Sequence, residues 1–515
     1  MEVPEEQREL PDLPSDVVLM IFDHLNFRSR LTASLVCRQW NQLAFTAKFM
    51  NRLCLSLDIR NLDGLASAGT VLQSSNRPYK HMRIVFQGCR QQSLYSVVQL
   101  LHPMHGLLSL EMVFYFYCFQ EKLHIVLQEV LENRPSLTAL SFEIRGRLMN
   151  WGGLSADLLT KRSSSVVIDV DEEQKIFPSL TSLTIKRNPD MFNPRFFEMQ
   201  VSPSYLTFHS PPKPEIIPNL RHLTMTCETD EQLQLFSSLS EQLETVSVIS
   251  FDPHGLQIES FLELSFPQLL DLKICPISLP HFNAMANFVR KLRRIRILQL
   301  EEVLIDSEII DAIFENCLEL HQLGLHMDSL DAGCLRNISI LKNLERLIMV
   351  GRRPVKYGTY EDYFRGGIGQ LLNLKSLSFQ RFSFPSNAFV SSLARMMCNL
   401  EELRLHECRA KNNIIGPIFD HFPGLTRLEF VKVTHGGARP IWPPMLVNVR
   451  LINCAWVTSD HLTKLIQRCP NLRHLNIYGC GTSKDMLQKI AEIVPAGCFV
   501  ERTHNFAPSV ARMVS

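Results

Sequence analysis

Residues 470–477 read Pro-Asn-Leu-Arg-His-Leu-Asn-Ile, with an apolar anchor at Leu472, another three residues on at Leu475 and a third at Ile477. The closing alternation sends Leu475 and Ile477 to one side of a short strand and Asn476 to the other. Working outward, the phrase recurs as PSLTALSF, PSLTSLTI, PNLRHLTM, QLETVSV, PQLLDLKI, RRIRILQL, LELHQLGL, KNLERLIM, LNLKSLSF, CNLEELRL, PGLTRLEF and MLVNVRL. Its first anchors are Leu137, Leu180, Leu220, Leu243, Leu269, Ile295, Leu320, Leu344, Leu374, Leu400, Leu425, Leu446 and Leu472. Nine of the twelve intervals fall between 21 and 26 residues, so one structural unit is being repeated.

Between phrases the apolar period becomes helical. Ile309, Ile310, Ile313 and Phe314 precede Cys317, Phe389, Leu393 and Met396 precede Cys398, and Leu462, Leu465 and Ile466 precede Cys469. Asp306-Ser307, Asn387 and Thr458-Ser459 stand where N-caps are required. The predicted unit is strand, turn, helix, turn. Its three anchors contribute roughly 1.5–3 kcal/mol each when buried, whereas ordering its residues costs about 1–2 kcal/mol apiece. No unit folds alone, and stacking supplies the missing burial. The expected fold is α/β, a curved solenoid with parallel strands on the concave face and helices on the convex face.

Weaker phrases, YKHMRIVF from Tyr79 and GLLSLEMVF with its anchor at Leu107, carry the array back to about residue 50, so residues 51–498 are assigned to it. Loop insertions are expected at 145–177, 188–217, 351–369 and 434–444, where the intervals lengthen or Gly and Pro interrupt the helical period. Residues 499–515 read as a C-terminal tail and residues 1–9 as a flexible N-terminus.

The composition fits a folded chain of 515 residues, 45% hydrophobic and 20% charged. Lys and Arg number 53 against 52 Asp and Glu, which provides no bulk attraction to nucleic acid or an anionic membrane. The first fourteen residues carry four glutamates and no apolar core of a secretory signal, and no apolar run is long enough for a bilayer, which predicts a cytoplasmic or nuclear protein. Fourteen cysteines form no CxxC pair and are expected to be buried and reduced. There is no Gly-rich phosphate loop, nucleophile elbow or metal-spaced histidine set, so no cofactor, metal or catalytic residue is expected. His406 beside Cys408 suggests a dyad, but Cys408 occupies a repeat position matched by Cys480. The basic run RKLRRIR, 290–296, reads as a helix C-terminus followed by strand flanks.

Residues 10–50 lie outside the repeat. Leu13-Pro14 opens a helix with Asp16 at its positive end, and Val18, Ile21, Phe22 and Leu25 follow at i, i+3, i+4 and i+7. Further apolar faces come from Leu31 and Leu35 and from Val36, Trp40 and Leu43. Three short helices bury little by themselves, so the segment needs a partner. It resembles the F-box: the family pattern is met at Leu13, Pro14, Asp16, Ile21, Phe22, Leu25, Leu35, Val36, Cys37, Arg38 and Trp40. The resemblance implies that these residues other than Asp16, together with Val18, bind a Skp-type adaptor and through it a cullin–RING core. The cysteine-bearing repeats, such as Cys398 to Cys408 and Cys469 to Cys480, resemble the cysteine-containing subclass of leucine-rich repeats. The pairing resembles the F-box/leucine-rich-repeat family, which implies a non-catalytic substrate receptor of an SCF-type ubiquitin ligase. The competing reading is a repeat scaffold whose N-terminal helices are only a cap.

Residues that alternate with the anchors face the concave side. They are small and neutral in the first half of the array and charged or aromatic in the last third. Arg404, His406, Arg427, Glu429, Arg450, His474, Asn476 and Tyr478 are expected to form one protein-binding patch, because neighbouring strands lie about 4.8 Å apart. Tyr360 and Trp442, in the 351–369 and 434–444 loops, are expected to flank it. An anionic small molecule held by Arg404, Arg427 and Arg450 is the alternative occupant.

Overall fold

Leu472, Leu475 and Ile477 are almost wholly buried, and the strand they anchor, His474–Tyr478, alternates buried and accessible residues as the phrase requires. This geometry comes from a computed structural model. It describes residues 13–51, 53–59, 79–87, 106–115, 134–146, 179–189, 217–227, 230–249, 258–275, 282–301, 303–330, 333–351, 367–384, 399–410, 424–434, 442–481 and 497–502, with short pieces between them (67–70, 72, 77, 100–101, 104, 130, 422, 490 and 493–495). The protein divides into two units, Met1–His209 with Glu215–Asn219 and Ser509–Ser515, and Ser210–Pro214 with Leu220–Pro508.

The first unit opens with α1 (Ser15–His24), α2 (Phe27–Ala33), α3 (Arg38–Ala44) and the single turn α4 (Ala47–Met50), one helical segment more than the sequence suggests. Pro14 sits at the N-cap of α1, one position before its first turn. Asn26 caps α2 by accepting the Ser29 N–H at 2.9 Å, and the Cys37 thiol caps α3 by accepting the Trp40 N–H at 3.4 Å. Val18, Phe22, Ala44 and Phe49 make a small core, with the Trp40 ring edge-on to Phe22 at 5.5 Å.

Five parallel strands follow in sequence order: β1 (Cys54–Ile59), β2 (His81–Gln87), β3 (Ser109–Tyr115), β4 (Ala139–Gly146) and β5 (Ser182–Pro189). The degenerate phrases thus belong to the array. β1 bears no recognisable phrase, yet Leu55, in register with Met82, is buried, as are Leu53 and Ile59. The helices are tied to the first strands. His81 lies with Nε2 3.0 Å from the Asn51 carbonyl and Nδ1 2.8 Å from Ser109 Oγ, and the Arg77 guanidinium stacks 3.6 Å over the Phe45 ring.

The second unit holds β6 (His222–Thr226), β7 (Thr245–Ile249), β8 (Asp271–Cys275), β9 (Ile297–Leu300), β10 (Gln322–His326), β11 (Arg346–Val350) and β12 (Ser376–Gln380). The short β13 (Ser383–Phe384) and β15 (Arg409–Ala410) pair beside the main ladder. The ladder continues through β14 (Glu402–His406), β16 (Arg427–Val431), β17 (Asn448–Ile452), β18 (His474–Tyr478) and β19 (Phe499–Arg502). Every described pairing is parallel and, β13 and β15 apart, joins neighbours in sequence, the signature of a stacked repeat. β19 corrects the expectation that residues from 499 onward are tail.

Helices return the backbone at Asp230–Leu239, Glu259–Glu263, Phe282–Lys291, Ser307–Asn316 and Ser459–Arg468, and Phe236, Phe261, Phe266 and Phe288 form a series of ring contacts between the first three. Asp306 caps its helix as expected, accepting the Ile309 N–H at 3.0 Å, and the Thr458 N–H donates to His461 Nδ1 at 3.2 Å. The helix expected around Phe389–Met396 lies outside the described residues. Two crossovers are 3-10 turns instead, Ile338–Ile340 and Ile368–Gln370, the second inside the expected 351–369 loop. Of the other expected loops, 147–178, 190–216 and 435–441 lie outside the described residues, while β4 and β5 run into the ends of the first two.

The residue after each of five successive strands is left-handed: Arg381, Glu407, Lys432, Asn453 and Gly479, with φ between 50° and 61°. In the first four its N–H reaches the carbonyl of the last residue of the next strand, at 2.6–2.8 Å. Only one of the five is glycine, the residue that takes this conformation without steric cost. A Cβ on Gly479 would also run into Asn453 Oδ1. Gly479→Ala is therefore expected to cost about 1–2 kcal/mol or more, read from its urea midpoint. Among the described residues no helix is long and apolar enough to cross a membrane.

Candidate functional site

α1 carries two apolar stripes. Val18 and Phe22 lie on the buried one, with Leu25 half-buried beside them. Leu13, Val17, Met20 and Ile21 lie on the other and are exposed, as are Leu31, Leu35 and Val36. These seven are half of the fourteen exposed large apolar side chains among the described residues, gathered within 24 positions. A protein surface normally scatters such residues singly, so the cluster is a candidate interface. Gln39 Nε2 donates to Ser15 Oγ at 3.3 Å, which brings the Leu35–Cys37 turn beside the start of α1.

The residues expected to touch an adaptor therefore separate into two groups. Leu13, Pro14, Ile21, Leu35, Val36, Cys37 and Arg38 are accessible. Val18 and Phe22 are wholly buried and Trp40 packs on Phe22, which corrects their placement on a contact surface: they hold the helices together. Val17 and Met20 are surface members that the sequence reading missed, because a single helical period was fitted where two stripes exist.

The second site lies on the ladder of the second unit. Register places Ser378, Arg404, Glu429, Arg450 and Asn476 in one row across β12, β14, β16, β17 and β18. Glu402, Arg427, Asn448, His474 and Phe499 form the neighbouring row across β14 to β19. A groove of about 500 Å³ runs over both rows from Glu402 to Phe499. His406 and Tyr478 lie one row further along the strands, partly exposed.

Glu429 is the hub. Arg450 donates to its Oε1 at 2.8 Å, His406 Nε2 lies 3.3 Å away and Arg404 Nε 3.8 Å away. Bonding from His406, with the Arg450 and Arg404 charges, holds its carboxyl below the usual range in spite of partial burial. Glu402, buried, accepts from Ser376 Oγ at 2.7 Å and from Arg404 at 2.8 and 3.2 Å. Burial is the largest single influence on it and pushes its carboxyl up, but Ser376 and Arg404 together outweigh it and leave it lowered.

A lowered carboxylate stabilises the fold above its unfolded pKa and loses that contribution as pH falls through the folded one. Stability should be level above about pH 5 and fall below about pH 4. The Glu402→Gln/Glu429→Gln variant should show a shallower acid limb in urea titrations.

Trp442 is wholly buried and donates from Nε1 to the His461 carbonyl at 3.0 Å, which corrects its expected place on the binding face. Tyr360 lies outside the described residues. Glu402, Asn448 and Phe499 also line the groove: the first two share the strand position of Arg427 and His474 without belonging to the expected patch, and Phe499 lies on a strand without a leucine phrase.

Other candidates resolve into structure. Arg290 meets Glu308 at 3.2 Å, Lys291 donates to the Glu263 carbonyl at 2.8 Å at the end of a neighbouring helix, and Arg294 donates to Gln268 at 2.8 Å. The thiols of Cys408, Cys454 and Cys480 donate back to the preceding strand at the carbonyls of Phe379, Phe430 and Leu451. Burial pushes the Cys408 thiol up to about 12 and Cys454 to about 11, far from a thiolate at neutral pH. Among the described residues no three His, Cys, Asp or Glu side chains gather as a metal site.

An N-terminal helical domain with a bare apolar face, carried on a parallel repeat array, is the class that fold and site define. Residues 10–56 match the F-box-like family model. No curated protein matches this sequence. Among solved structures, the crystal structure of a Rad7 and Elc1 complex in yeast shares 12% identity over 94% of this protein and 92% of that one, with a TM-score of 0.38. A TLR13–ssRNA13 complex shares 16% identity over 85% of this protein and 60% of that one, with a TM-score of 0.31. Neither likeness bears on what the protein binds.

Proposed function

We propose that this protein is a non-catalytic substrate receptor of an SCF-type ubiquitin ligase, its F-box seated on a Skp-type adaptor that links it to a cullin–RING core. The substrate is a protein held on the rows that face the groove, and the repeats are of the leucine-rich family. The observation that carries the reading is the bare apolar stripe of Leu13, Val17, Met20, Ile21, Leu35 and Val36 on a domain that already has its own core.

The rival reading is a scaffold whose helices only cap the array. Arg77 on Phe45 and His81 on Asn51 do make the helices a cap. A cap, however, buries its apolar surface, whereas this one leaves seven large side chains in water. A docked partner accounts for them. Burial keeps the Cys408 thiol protonated, which argues against a His406–Cys408 nucleophilic dyad.

Proximity labelling with degradation blocked tests the substrate face. A protein should accumulate with the wild type and be lost from Arg450→Ala/His474→Ala, with adaptor binding unchanged. Retention of every labelled protein by the variant would assign substrate binding elsewhere.

A further inference from the structure

Arg427, Arg450, Glu402 and Glu429 line the groove, and Arg404 stands beside it on Glu402, so these five side chains sum to one positive charge. Arg404 is taken by Glu402 and Arg450 by Glu429, each at 2.8 Å. Arg427 lies near enough to Glu402 to influence its carboxyl, yet pairs with no side chain among the described residues and is exposed. Glu402 and Glu429 are both shielded and already ionised, so neither is free to swing out and neutralise it. One positive charge, next to Glu402 in the row, is left without a salt bridge of its own. Two residues along the same row, His474 and Phe499 stand exposed with ring centroids 6.3 Å apart, an aromatic wall beside that charge.

We infer that this groove recognises a single carboxylate on an extended protein segment, seated on Arg427, with an apolar side chain further along the same face of that segment, about four residues on, against His474 and Phe499. The inference rests on the reading of this face as the substrate site. One unmet charge matches one carboxylate. A polyanion such as single-stranded nucleic acid would bring further phosphates against Glu402 and Glu429 and is disfavoured by repulsion. Arg404 and Arg450 are fixed by their glutamates, so they frame the slot without the entropic cost of ordering long side chains on binding. The carboxylate can belong to an internal Asp or Glu or to a free C-terminus.

Fluorescent peptide pools of one length, degenerate except at a fixed pair, test this against the full-length protein. The pairs set Glu, Gln or Lys four residues before Leu, with amidated ends (the Glu-Leu, Gln-Leu and Lys-Leu pools), beside a Leu-ended pool with its terminal carboxylate free; an oligothymidylate serves as the polyanion. The Glu-Leu or the free-acid pool should bind about tenfold or more tighter than Gln-Leu, and whichever does identifies the source. Arg427→Gln should erase that preference with a melting temperature within a degree or so of the wild type's, because the exposed side chain makes no salt bridge or hydrogen bond among the described residues and acts on Glu402 only at a distance. Arg427→Lys should keep part of it. Equal or tighter binding of Gln-Leu, Lys-Leu or the oligothymidylate, or an acid preference that survives Arg427→Gln, would overturn the inference. If the acid preference fails while Arg450→Ala/His474→Ala still loses its labelled protein, only the ligand class is wrong. If that variant keeps every labelled protein, the substrate face itself is wrong.

Discussion

Leu35→Asp/Val36→Asp is expected to abolish capture of a Skp-type adaptor while leaving the melting temperature where it was. The two side chains are 80% and 67% exposed, so their replacement touches no packing, and substitutions of that kind fall within about 0.5 kcal/mol in stability. In an apolar interface the same two carboxylates would be stripped of water without partners, at several kcal/mol. Since about 1.4 kcal/mol is tenfold in affinity, binding should weaken by a hundredfold or more. Calorimetric titration against the purified adaptor, beside a thermal scan, reads both quantities. Unchanged affinity would remove the ligase assignment. The neighbouring Ile21/Phe22 pair is a poorer probe. Phe22 is wholly buried against Trp40 and Phe49, so truncating it costs about 3–5 kcal/mol of folding and would lose the adaptor for the wrong reason.

Trp442→Ala carries the largest expected stability effect. The indole is wholly buried, its N–H is satisfied by the His461 carbonyl, and the helix Ser459–Arg468 that contains His461 packs through Leu462 and Leu465. Truncation opens a cavity and removes the indole hydrogen bond, about 3–5 kcal/mol. Urea denaturation should show the loss. A full loss of substrate with wild-type stability would instead return Trp442 to the binding face.

The two cases show where sequence suffices. The leucine anchors were legible because a repeated period samples the same burial many times, and Asp306 was legible because a cap has few chemical solutions. Trp442 was misplaced because its neighbours Gly436, Gly437 and the prolines forbid a regular helix but say nothing about depth. α1 was half read because its two stripes, Val18–Phe22 and Val17–Ile21, differ by one residue, and no period in a single sequence decides which faces water. Alternation places Arg404, Glu429, Arg450 and Asn476 in one row, but the unequal fates of Arg427 and Arg450 depend on which rung each glutamate occupies. Register alone reveals that. The left-handed residues after the strands escaped notice because Arg, Glu and Lys carry no local signal for such a conformation, which is imposed by the carbonyl of the next strand.

Met50 closes the last helix of the N-terminal domain and Cys54 begins the first strand, with the Asn51 carbonyl and the Phe45 ring pinned by His81 and Arg77. No slack separates the two. A protein seated on the bare stripe is consequently held by a strut and not by a tether, so its reach toward the first strands obeys the geometry of a lever and gains nothing from linker-length statistics.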